Sequence, residues 1–90
     1  MIKKSFEGKW LRILFYDHSI TSTSDKSKEP MRCEVSGYCH KVTNKHVELW
    51  TWCVRSGDLE TRSHNAEKFV ILQKCILDYG VQRVEWLVNN

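Results

Sequence analysis

The stretch "CEVSGYCHKVTNKHVELWTWC", from Cys33 to Cys53, holds three of the chain's four cysteines, two of its four histidines and two of its four tryptophans. These residue types allow a zinc site, a thiol nucleophile or an aromatic recognition face. Structural zinc sites favour cysteines two to four residues apart, usually in turns. Here five residues separate Cys33 from Cys39, six separate His46 from Cys53, and Cys75 stands alone. Thiol catalysis needs a histidine turned toward the thiolate. Cys39 and His40 are neighbours, and neighbours on a strand face apart. The cysteines therefore read as small core hydrophobes, free and mostly buried thiols. The sequence implies no metal, no cofactor and no catalytic residue, and so no enzyme.

Asp17 and His18 follow an apolar run, a common place for metal or acid–base chemistry. Glu67 is the candidate second carboxylate of a two-metal nuclease, but a third is missing, and the chain closes on "LVNN". Asp17 reads instead as a turn cap or an ion-pair partner. The aromatic residues carry the stronger signal. Trp10, Tyr16, Trp50 and Trp52 form one outer patch if the first and third strands lie close together, flanked by Lys41, Lys45 and Arg55. Tryptophan and tyrosine anchor interfaces, so the patch reads as partner-binding. The competing readings are a second small core and a platform for stacking single-stranded nucleic acid.

Strands must position these residues. "KWLRILFYDH" (9–18) alternates Leu11, Ile13 and Phe15 against Trp10, Leu14 and Tyr16, a strand apolar on both faces. "MRCEVSGYCHKV" (31–42) is a second strand, with Gly37 marking a bulge or tight bend. "TNKH" (43–46) is a hairpin turn. "VELWTWCVR" (47–55) is a third strand; unbroken alternation puts Val47, Leu49, Thr51 and Cys53 on one face and Glu48, Trp50 and Trp52 on the other. Residues 1–8 form a lead-in, and 19–30 and 56–64 read as mobile polar loops. Residues 68–80 fork. They form either a helix capped by Asn65 and ended by Gly80, or a strand, a turn at Gln73–Lys74 and another strand from Cys75. "VQRVEWLV" (81–88) reads as a last strand.

Ninety residues make one domain, spanning 1–90. The formal charge is +3, made of +4 over residues 1–45 and −1 over 46–90. That excess is mild for a nucleic-acid binder. The apolar run after Lys3 and Lys4 is broken by Arg12 and is followed by no cleavage site, and no stretch reaches membrane-spanning length. A cytoplasmic protein with reduced thiols is expected.

The segments "FYDHS", "EPMRCEVSGY", "VELWTW", "HNAEKFVILQKCI" and "RVEWL" together resemble a family of small bacteriophage and prophage proteins with Sm-like or Src-homology-type β-barrels. This chain departs from that pattern in its longer end, "DYGVQRVEW", and at Gln73–Lys74. The resemblance implies no catalytic residues. "FYDHS" and "NAEKF" also resemble the front half of a ribonuclease H fold. The glycine-rich turn and later aspartates of that fold are missing, which implies at most a degenerate domain.

The expected fold is mainly β, a small curled antiparallel sheet or Sm-like barrel with at most one helix. The alternative is three antiparallel strands, a helix near 65–79 and a fourth strand. The expected function is a non-enzymatic, phage-type protein that docks on a host protein and inhibits or redirects it, as an anti-defence inhibitor would. A small nucleic-acid-binding protein is the alternative, and an exposed strand edge would also suit a homodimer.

Overall fold

A computed structural model of the chain describes residues 1–17, 31–54 and 56–83. Five strands form one antiparallel sheet: β1 (Trp10–Asp17), β2 (Met31–Val42), β3 (His46–Cys53), β4 (Ala66–Leu72) and β5 (Ile76–Val81). Their order is β4-β3-β2-β1-β5. The fold is the mainly β, curled sheet expected from the alternation.

The curl originates in β2. Its first part, from Met31 to Tyr38, pairs with β1, and its last part, from Tyr38 to Val42, pairs with β3. One strand thus serves two half-sheets and must bend where they meet. Gly37 sits at that junction. A Cβ there would lie 2.8 Å from the Trp50 carbonyl oxygen and 3.2 Å from the Leu49 Cβ. Only glycine lets the β3 backbone come this close.

Curling brings the two edge strands toward each other. β4 and β5 are sequential but lie at opposite edges, joined by a 3₁₀ turn at Gln73–Cys75. Phe15 of β1 reaches Phe69 of β4 edge to face, with ring centroids 5.6 Å apart. The enclosed core contains Leu11, Ile13 and Phe15 of β1, Cys39 and Val42 of β2, Val47 and Leu49 of β3, and Ile71 of β4.

Residues 68–80 adopt the strand–turn–strand form and not the helix expected in the alternative fold. Only Ile71, Gln73 and Cys75 are buried in this stretch, a two-residue period that a helix would break. Asn65 accordingly ends a helix instead of starting one. That helix, α1 (Leu59–His64), lies inside the expected 56–64 loop. Asp58 caps it by accepting the Thr61 amide at 2.8 Å, and this bond holds the exposed Asp58 carboxyl below its ordinary pKa. The ribonuclease H reading had needed a longer helix carrying Glu67. Residue Glu67 lies instead in β4.

The lead-in is also more than a leader. Residues Lys4–Phe6 form a 3₁₀ turn, and Ile2 is only 2% exposed. The buried Gln73 side chain secures Ile2. Its Oε1 accepts the Ile2 amide at 3.0 Å, and its Nε2 donates to the Ile2 carbonyl at 2.8 Å and the Thr43 carbonyl at 3.1 Å. The expected 43–46 hairpin turn is present. The Thr43 hydroxyl accepts the His46 amide at 3.0 Å, and the Thr43 amide donates to the His46 carbonyl at 2.9 Å. The last expected strand, 81–88, meets β5 only at Val81; residues 84–88 lie outside the described residues, as does the 19–30 loop.

Replacing Gly37 with alanine should cost about 1–3 kcal/mol of unfolding free energy, because the clash is with backbone that cannot swing away. Chemical denaturation checks this; an unchanged midpoint would show that β2 and β3 can separate without loss.

Candidate functional site

The aromatic patch divides in two. Trp10 pairs with Tyr38 across β1–β2, and Tyr38 pairs with Trp50 across β2–β3, so these three share the outer face of the sheet. Trp50 is fully buried there. His40 stacks on it with centroids 4.2 Å apart and planes at 21°, and Tyr38 tilts against it at 5.5 Å. Trp50 is therefore the centre of a second small core and is not a docking residue, which corrects its expected partner-binding role.

A bulge in β2 explains the stacking. The register slips between Cys39 and Lys41, which leaves His40 without a β3 partner. His40 can then lie over Trp50, with its Nε2 3.7 Å from the Glu48 carboxylate. Cys39 points the other way, into the core, as neighbour alternation requires. Burial, and then the charge of Glu7, push its thiol pKa up to about 11. Glu7 is held close because its carboxylate accepts the Val42 amide at 2.8 Å. A protonated, buried Cys39 is a core residue and no nucleophile.

A second bulge separates the tryptophans. Trp50 pairs with Lys68 but Trp52 pairs with Glu67, the residue next to it. Neighbouring β4 residues face opposite sides, so Trp52 falls on the side of Phe69 and Ile71. There it is 58% exposed. The bulge also takes Thr51 out of the expected Val47–Leu49–Thr51–Cys53 face; its hydroxyl donates to the Glu67 carboxylate at 2.6 Å.

Tyr16 lies at the far end of β1, opposite Arg32, whose guanidinium carbon is 5.8 Å from the centre of its ring. It lines a groove of about 340 Å³ with Phe15, Asp17, Phe69, Leu72 and Cys75 among others. This groove is the open seam of the curled sheet. Among the described residues, β5 pairs with β1 only as far as Phe15, and β4 has β3 as its single strand neighbour. Val70 and Leu72 on that edge are 56% and 47% exposed. The seam went unnoticed in the sequence because it depended on reading 66–72 as a strand; the exposure of alternate apolar residues was the available signal.

Of the expected flanking cations, Lys41 faces Glu48 across β2–β3 and Lys45 lies in the hairpin turn. Arg55 lies outside the described residues, as does His18. Among the described residues, no group of three or more His, Cys, Asp or Glu side chains is placed to hold a metal ion. None of their helices is long and apolar enough to cross a membrane. All four cysteines are free.

No protein-family model, no curated protein and no solved structure matches the chain.

Trp50→Ala should destabilise the fold by about 3–5 kcal/mol, whereas Trp52→Ala should change it by less than about 1 kcal/mol. Thermal unfolding of the two variants checks the contrast. The Cys39 thiol adds a pH dependence. Its pKa is higher in the folded chain than the ordinary 9.0, so the folded state keeps a proton that the unfolded state releases. Stability should fall as pH rises from about 9 to about 11. A Cys39→Ala variant should lack that part of the decline when both are titrated by urea denaturation.

Proposed function

We propose that this chain is a non-enzymatic binding protein that captures an extended segment of a partner protein along the open seam beside β4. The carrying observation is the β4 edge, unpaired among the described residues, next to the aromatic groove of Phe15 and Phe69. An edge strand presents a row of backbone donors and acceptors, and a segment that adds to it gains hydrogen bonds from any sequence. Phe69, Tyr16 and the exposed Trp52 supply apolar contact that selects among sequences. A second copy of the chain is a competing occupant of the same edge.

The phage-type resemblance of the sequence supports a setting for this activity. The partner is a host protein in the cytoplasm, which the chain inhibits or redirects, and a defence component is the favoured target. Asp17 and Glu67 take no catalytic part in this reading. Glu67 is engaged by Thr51, and Asp17 lines the groove.

The test is a pair of charge substitutions on the edge, Val70→Lys with Leu72→Lys. Charged residues on an edge strand block strand addition. The variant should keep the unfolding midpoint within a few degrees and lose at least about tenfold in partner affinity. A photo-crosslinker at position 70 should label that same partner. Undiminished affinity in the double variant would remove the seam from consideration, and concentration-dependent dimers abolished by it would make the occupant a second copy.

A further inference from the structure

The modest charge of the whole chain conceals a concentrated basic surface at one end of the curled sheet. Three segments meet there through backbone and Gln73 contacts. The Gln73 amide group binds both Ile2 and Thr43, and the Gln73 backbone amide donates to the Lys45 carbonyl at 2.9 Å. Lys3, Lys45 and Lys74 are thereby brought to one end, each next to or within a residue of that junction, and Lys4 follows Lys3. Lys9 and Lys41 flank them. The Cys39 amide donates to the Lys9 carbonyl at 2.8 Å, and Lys41 is two residues further along β2.

All six lysines are exposed, and no ion pair among the described residues engages any of them. Three carboxylates lie nearby: Glu7, which accepts the Val42 amide, Glu48, which faces both His40 and Lys41, and Asp78, in the groove beside Lys74, which accepts the Tyr79 amide at 2.8 Å. Six ammonium groups against three carboxylates leave this end at +3.

We propose that this lysine-rich end is a phosphate-binding surface for duplex nucleic acid, contacting the backbone without reading sequence. The cations are all lysines on turns and strand ends. Ammonium groups on flexible stems act as point charges for phosphates and lack the planar fork that reads base edges. Among the described residues this surface has no exposed aromatic platform for stacking unpaired bases, since Phe6 and Tyr79 pack edge to face at 5.5 Å and are half-buried. Such a platform is the hallmark of single-strand binders. An acidic protein partner would need an apolar cluster at the centre of its interface; the exposed apolar residues here, Met1 and Leu77 in the groove and Leu72 before Gln73, are outnumbered by the six lysines. The lysine-rich end adjoins the end of β4, where Leu72 pairs with His46 and precedes Gln73, but its lysines are not the residues of the seam reading and are tested by their own variants.

The test is fluorescence anisotropy of a labelled random-sequence DNA duplex of about 20 base pairs, read across a salt series. Four to six phosphate contacts predict a slope of log K against log salt of about −3.6 to −5.4. The variant Lys3→Gln, Lys4→Gln, Lys45→Gln, Lys74→Gln should flatten that slope by about 3–4 and weaken binding at least tenfold. Lys68→Gln, on β4, should leave both unchanged. An unchanged tryptophan emission spectrum and an unchanged unfolding midpoint would show that the variants are folded. The proposal is overturned by absence of saturable binding at low salt, by equal binding of the quadruple variant, or by polyglutamate competing as well as unlabelled duplex.

Discussion

The architecture depends on the bend in β2 at Gly37. A flat five-stranded sheet of this size would leave one apolar face in water. Passing β2 through both half-sheets folds that face onto itself, so that Phe15 near one edge meets Phe69 at the other. The bend requires β3 to approach within a distance that no side chain at residue 37 would allow. The seam is the other side of the same geometry, because a sheet curled by one bend leaves β4 and β5 unpaired with each other.

Burial in so small a core has to accommodate polar groups, and the chain handles them at the lysine-rich end. Gln73 is the one buried polar side chain among the described residues, and it bonds to Ile2 and Thr43. Glu7 meets the Val42 amide at the end of β2. Unpaired, these groups would each cost about 1–3 kcal/mol. The exception lies in the second small core, where the Trp50 indole Nε1 is buried without a hydrogen-bond partner. Stacking with His40 and apolar burial outweigh that loss.

Alternation made β1, the 43–46 turn and the mainly β class legible in the sequence, because Leu11, Ile13 and Phe15 leave one assignment for that segment. The 68–80 stretch was ambiguous on its own. Its apolar residues suit a helix stripe as well as two short strands, and Phe15, far away in sequence, decides between them by offering Phe69 a partner. The bulges were invisible. Each shifts the register by one residue, and that single residue turned Trp52 away from Trp50 and set His40 on the indole. The role of Ile2 was hidden for a related reason, since nothing near it in sequence announces that a glutamine 71 positions away will hold it.

That separation governs how the molecule can be made. β1 lies beside β5, and Ile2 is held by Gln73, so the earlier elements are completed only by elements synthesised well after them. Until β4 and β5 leave the ribosome, the β1–β2–β3 meander lacks the strands that cover its inner face. Leu11, Ile13 and Phe15 stay exposed throughout that interval. Such long-range closure slows folding and lengthens the exposure of apolar strands. The clasp between Ile2 and Gln73 thus acts as a completion check: a chain truncated within or before the Gln73–Cys75 turn can form its hairpin but cannot shut the end that the hairpin borders.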